Sequence, residues 1–148
     1  MPETLPLLSD ERDAAIRGSF ARQGMMQALG AEIVSLVPGR VVFRLPFSGK
    51  VTQQQGLFHG GAVAALADIA AGYSAMSLGA PDSEVTTVEF KINFINGAVG
   101  DAIEATGVVE KAGRSLVVAR VEVEAITGAD RKTCALMQAT MMPVLKKY

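Results

Sequence analysis

The chain has 148 residues, the length of one domain large enough to bury a core. Lys and Arg number 14 against 15 Asp and Glu, for a formal net charge of −1. That excludes the phosphate attraction on which nucleic-acid binders depend, and aromatics at 5% with no Trp leave few rings for bases to stack on. The one cysteine, Cys134, excludes an internal disulfide and a thiolate metal cluster and fits a reducing compartment.

The N-terminus, MPETLPLLSDERDAA, lacks the basic start and apolar run of a signal peptide, so a cytoplasmic protein is expected. Ser9 caps a helix entered through Asp10 and Glu11, whose acids suit the positive end of the helix dipole. This N-terminal helix covers about residues 10–29, with Gly24 as the place where it would break and Gly30 as its stop. The runs AEIVSLV and RVVFRLPF flank Pro38-Gly39 and read as a hairpin.

Gly60 to Leu78 is an apolar stretch of 19 residues, nearly a membrane span in length. Asp68 near its middle, with no flanking Lys/Arg and no aromatic belt, makes it a buried soluble helix instead, the central helix of about residues 60–78. After Pro81 the period becomes two: Val88, Phe90, Ile92 and Phe94 share one face, and Thr87, Glu89, Lys91 and Asn93 the other. Three more strands follow, DAIEATGVVEK, SLVVARVEVEAI and KTCALMQATMMPV, joined by turns at Ala112-Gly113 and Thr127-Gly128 as antiparallel neighbours. The pattern predicts one α+β domain over 1–148, a long central helix wrapped by a five- to six-stranded antiparallel sheet, with a helix before it. That central helix is apolar all round, whereas one sheet requires only a stripe. Either a second copy of the chain covers its other side or the N-terminal helix does.

From Val51 to Pro81 the one ionised side chain is Asp68. A carboxylate on a buried helix costs several kcal/mol unless it is paired or hydrogen-bonded, and burial raises its pKa towards values that suit a general base. The plainer reading is an Asp that bonds backbone groups or faces water at a kink. Upstream, QQQGLFHGG places His59, Gly60 and Gly61 at the helix start, where glycines let a ligand approach and unpaired N–H groups bind an anion or an oxyanion. A lone His with no Cys or second His builds no metal site, and a packing role at the helix start suits His59 better than acid/base work. Asp68 lies eight residues beyond Gly60, about 12 Å along the axis, too far to act on a carbonyl held by the same chain's Gly60. Two helices packed antiparallel across a two-fold axis would place each Asp68 beside the other's N-terminus.

HGGAVAALAD, VEFKINFINGAVGD and VVEKAGRSLVVARVEV resemble the hotdog-fold acyl-CoA thioesterases of the phenylacetate-pathway (PaaI-like) type, over roughly Gln23 to Val144. The resemblance implies homodimers that join their sheets and pair into homotetramers. It also implies thioester hydrolysis without metal or bound cofactor, coenzyme A being part of the substrate. By position, Gly60 supplies the oxyanion N–H and Asp68 of the partner chain is base or nucleophile. Gln53 stands where relatives carry Asn, and Thr87 matches a hydroxyl that orients the water, although alternation places it opposite Val88 and Phe90. Phe58, His59 and Gly61 border the substrate, Lys111 and Arg114 meet the CoA phosphates, and Met76 and the Met141-Met142 pair are candidates for the acyl tunnel. The rivals are a non-catalytic acyl-CoA or lipid-binding protein on the same fold and a hotdog dehydratase with His59 as base. No nucleic acid and no membrane is expected as a partner.

Overall fold

A computed structural model describes residues 6–147. Helices α1 (Asp10–Ala21) and α2 (Gly24–Leu29) precede the hairpin β1 (Glu32–Val37) and β2 (Arg40–Pro46). A single 3-10 turn over Gly49–Val51 leads to α3 (Gly60–Met76). Strands β3 (Ser83–Phe94), β4 (Ala102–Ala112), β5 (Val117–Thr127) and β6 (Asp130–Leu145) follow. The strands make one six-stranded sheet in the order β1-β2-β4-β5-β6-β3, with every neighbouring pair antiparallel.

The sheet curls around α3 because its inner face carries small residues where the helix crosses. Ala105, Ala119, Ala135 and Ala139 are fully buried. Gly107 of β4 lies directly under the Ala70 carbonyl of α3. Larger residues, Val41, Phe43, Leu45, Ile103, Val121 and Met141, fill the space on either side.

Three expectations are corrected. The N-terminal helix over 10–29 is two helices: Arg22 caps α1, and Gln23 turns extended with φ −78° and ψ 93° before Gly24 opens α2. Gly30 then ends α2 at a left-handed φ of 84°, a conformation that glycine adopts without strain. The central helix stops at Met76, two residues short of 78, where buried Arg12 of α1 donates from Nη2 to the Met76 carbonyl and, at 2.7 Å, from Nη1 to that of Ala80. A guanidinium with several fixed donors satisfies the orphan carbonyls of a helix end.

The third correction concerns β3. Its register with β6 runs Thr87 to Met141 and then Glu89 to Thr140, so Val88 is an extra, bulged residue. Strict alternation separates Thr87 from Phe90. The bulge instead returns both to the inner face, because Phe90 pairs with the inward Ala139 as Thr87 pairs with the inward Met141. A bulge re-aims side chains in this way.

Helix α1 accounts for part of the apolar surface of α3, reaching it at Tyr73 and Met76. Gly61, Ala64, Ala65, Asp68 and Gly72 stay exposed or half-buried. Their spacing of three, four, seven and eleven residues from the first makes one stripe along the helix.

Candidate functional site

Asp68 sits in the middle of that stripe, half-buried. Thr87 Oγ1 donates to Asp68 Oδ1 at 2.8 Å, a bond that exists because the Val88 bulge turns Thr87 towards the helix. Burial pushes the Asp68 carboxyl above its ordinary pKa, and the Thr87 bond works the other way by stabilising the ionised form. The bond fixes one carboxylate oxygen, and Asp68 lines a pocket of about 490 Å3. The pocket is lined by Asp68, Ile69, Gly72, Tyr73 and Met76 of α3, by Glu84, Val85 and Thr87 of β3, and by Ser19, Arg22 and Gln23 around the α1–α2 break.

The N-terminus of α3 is built separately. His59, with extended backbone, is its N-cap, and its Nδ1 accepts from the Gly61 N–H at 2.7 Å. That bond requires the unprotonated Nδ1. It takes the Gly61 donor and leaves the Gly60 N–H without an acceptor among the described residues. The Phe94 ring covers Gly60, with Cζ 3.4 Å from where a β-carbon would stand. Replacing His59 by Ala is expected to cost about 0.5–2 kcal/mol, the usual loss of an N-cap. Asn at that position keeps an acceptor, so thermal melts of His59→Ala and His59→Asn separate capping from any other role.

The other sequence candidates lie apart from these two points. Gln53 is in the turn before His59, and its amide is taken up by Gln55: Nε2 donates to Gln55 Oε1 at 3.1 Å and Oε1 accepts from the Gln55 N–H. Phe58 is buried against Phe47, with ring centroids 5.3 Å apart, and belongs to the core. Lys111 and Arg114 are exposed at the β4–β5 hairpin. The register brings that end of β5 level with Thr87, since Val117 pairs with Met141 and Met141 with Thr87. The hairpin therefore sits at the Asp68 end of the sheet, two strand spacings from β3 at β5 and three at β4, roughly 10 to 14 Å, and away from Gly60. Met76 lines the pocket and Met141 is core, while Met142 is exposed.

Sequence reading missed Gln23 and Tyr73. Tyr73 is an aromatic in an otherwise aliphatic helix, in a chain with two tyrosines. That oddity was the available signal. Among the described residues no group of three or more His, Cys, Asp or Glu side chains is placed to hold a metal, and no helix is long and apolar enough to cross a membrane. Cys134 is buried and its thiol is pushed up to about 11 by desolvation, which leaves it unreactive at neutral pH.

Residues 55–131 match the family model described as the thioesterase superfamily. A thioesterase family protein from Silicibacter pomeroyi has a crystal structure with a TM-score of 0.88 and 41% identity, covering 90% of this chain and 98% of that one. A 1,4-dihydroxy-2-naphthoyl-CoA hydrolase from Listeria monocytogenes is 31% identical over 118 residues, which span 80% of this chain and 94% of that protein. The PaaI protein from the E. coli phenylacetic acid degradation operon shares the fold, with a TM-score of 0.83 at 23% identity over 95% of this chain and 98% of that one.

Proposed function

The chain is a hotdog-fold member of the thioesterase superfamily and a thioester hydrolase, and from that premise we propose that it cleaves an acyl- or arylacyl-CoA to free acid and CoA at a site shared by two copies. The observation that carries the reading is the Thr87-held carboxylate of Asp68 on the uncovered stripe of α3. Beside it runs a 12-residue edge strand, β3, with Val88, Phe90 and Phe94 each at least 40% exposed. A long apolar edge strand is stable in water when another strand pairs with it. Two copies joined along β3 bring two α3 stripes together, and small residues such as Gly61, Ala64 and Gly72 let the helices approach closely.

Across that two-fold axis, Asp68 of one copy meets the Gly60 end of the other, which supplies what a single chain lacks over its 12 Å separation, estimated from the helix rise. The Gly60 N–H, at the positive end of α3, stabilises the negative charge that develops on the thioester oxygen. Asp68 either takes the proton of the attacking water or attacks the carbonyl carbon itself. Both routes require the ionised carboxylate and both release CoA thiolate. The reaction uses no cofactor besides the CoA of the substrate, so dialysis against a chelator is expected to leave the rate unchanged. A dehydratase with His59 as base fits less well, because the Nδ1 lone pair is committed to the helix cap.

Thiol release from a panel of aliphatic and aryl acyl-CoAs tests the proposal, with light scattering on the same sample to count subunits. Tight binding of acyl-CoA without turnover, or a monomer that turns over at full rate, sinks it. Thr87→Val removes the bond that opposes the rise in the Asp68 pKa. The acid limb of the kcat/KM profile is therefore expected to move to higher pH in that variant, with the plateau rate lowered less than in Asp68→Asn.

A further inference from the structure

Asp68, Gly72 and Met76 stand one turn apart along α3, beside three alternate residues of β3, Thr87, Val85 and Ser83. Four residues of helix rise about 6 Å and two residues of strand about 6.6 Å, so the two rows keep step like the sides of a ladder. At the first rung Thr87 Oγ1 donates to Asp68 Oδ1 at 2.8 Å. At the second, Val85 Cγ2 stands 3.7 Å from where a β-carbon would be on Gly72, an apolar contact with no preferred direction. The third rung is closed by a side chain from another element, Arg12 of α1. Its Nη2 donates to the Met76 carbonyl, and its Nη1 donates to that of Ala80 at 2.7 Å and reaches that of Ser83 at 3.4 Å.

Within the chain, β3 is an edge strand held by β6 alone. That pairing fixes its register and leaves its tilt towards α3 to the rungs. An apolar contact over a glycine slides, so the two polar rungs, about 12 Å apart along the helix, set the tilt. For stability alone Arg12 is a poor choice. It is 3% exposed, its Nε is buried with no hydrogen-bond partner among the described residues, and burial lowers its pKa against the opposing pull of Glu84 and Asp82. An apolar residue in that place would carry neither cost. What the planar guanidinium supplies is a fork of donors in fixed directions, which the ammonium of a lysine lacks.

We propose that Arg12 is a positioning residue for the hydrolysis: by clasping the C-terminal end of α3 to the start of β3, it holds Thr87 at hydrogen-bond distance from Asp68. The inference rests on the reading above of Asp68 as the ionised group that acts on the thioester. Arg12 is not part of the pocket lining, where Arg22 and Glu84 are the charged residues beside Asp68. The raised pKa of Asp68 has burial as its cause and the Thr87 bond as its opponent. Loosening the clasp therefore acts on Asp68 through Thr87 and raises that pKa further.

The test follows the titration of the Asp68 carboxyl by 13C NMR in protein labelled at its aspartate carboxyl carbons, the signal being the one lost in Asp68→Asn. Arg12→Lys keeps the charge that faces Asp82 and Glu84 and loses the fork. It is expected to move the Asp68 midpoint to higher pH, in the same direction as Thr87→Val and by less. On the acid limb kcat/KM falls about three- to tenfold, a tenfold loss there being one pH unit, and on the plateau it falls less. In a Thr87→Val background Arg12→Lys moves the midpoint no further, as two changes acting through one bond are not additive. Gly79→Ala reaches the clasp with the arginine intact: the added carbon falls inside contact with Ser83 Oγ and 3.4 Å from Arg12 Nη2, and the midpoint is expected to move the same way. That variant decides the matter if Arg12→Lys does not fold. A midpoint left in place, or one that moves as far in the Thr87→Val background as in the native protein, reduces Arg12 to structural support and overturns the proposal. A midpoint that moves as expected in a protein that releases no thiol from any acyl-CoA overturns the hydrolase reading and leaves the clasp standing.

Discussion

Asp68→Asn is expected to lower kcat for thioester hydrolysis by about 10²–10⁴-fold, the span of a positioned general base, while the protein keeps its fold and subunit count. Asn has nearly the shape of Asp and still accepts the Thr87 hydrogen bond at its carbonyl oxygen, so the local geometry survives. What disappears is the charge, and with it the ability to take a proton or to attack a carbon. The same carboxyl sets the acid limb of the native pH profile. Its pKa is raised, chiefly by burial, so activity is expected to climb with pH over a range above that of an ordinary exposed carboxylate. Stability runs the other way. The folded pKa exceeds the unfolded one, so the native state binds more protons, and its stability declines as pH rises from about 3.9, the unfolded value, through the folded value. Asp68→Asn lacks that decline and is expected to melt no lower than the native protein at pH 7. Thiol-release rates and thermal melts across pH check both statements. A variant that hydrolyses acyl-CoA at the native rate removes Asp68 from the reaction.

The fold was legible where the sequence carries strong periodicity or strong punctuation. The all-apolar run after His59 and the alternating strands after Pro81 fixed one helix and one antiparallel sheet, and Asp68 stood out because nothing else in that run is charged. Legibility failed where a local backbone irregularity decides the direction of a side chain. Strict alternation puts Thr87 on the face opposite Phe90, because a one-residue bulge at Val88 leaves no trace in a pattern of period two. The break at Gln23 was foreseen only as a weak point at Gly24. That an extended residue there directs an amide at Tyr73 depends on contacts 50 residues apart in sequence, which no local pattern records. His59 was read as packing at the helix start, and the Nδ1 bond to Gly61 gives that role an atomic form. Gln53 and Phe58, carried over by position, are engaged with their own loop and core, because the turn before α3 satisfies its own polar groups.

Gly107, inside strand β4, lets the backbone of α3 approach closely. Gly107→Ala is expected to destabilise the protein by about 1–3 kcal/mol, the usual cost of overpacking, which for a chain of this size lowers Tm by roughly 2–12 °C. A methyl group there would fall inside contact with the Ala70 carbonyl and lie 3.1 Å from the Ala71 nitrogen. Those atoms are helix backbone and cannot rotate away as a side chain would. Nor can the helix shift sideways, because Ala67, Ala70 and Ala71 are themselves fully buried. Either α3 lifts from β4 or β4 bows outwards, and the first displaces Asp68 relative to Thr87 on β3, so thioester hydrolysis is expected to fall even below the melting range. Gly24→Ala is the control. It is a helical position with no atom within 4 Å of the added carbon, and a Gly→Ala change at a compatible position gains about 0.4–1 kcal/mol. Circular-dichroism melts of the two variants decide the point: if Gly107→Ala melts with the native protein while Gly24→Ala behaves as expected, the close approach of helix and sheet at Ala70 is not what sets their spacing.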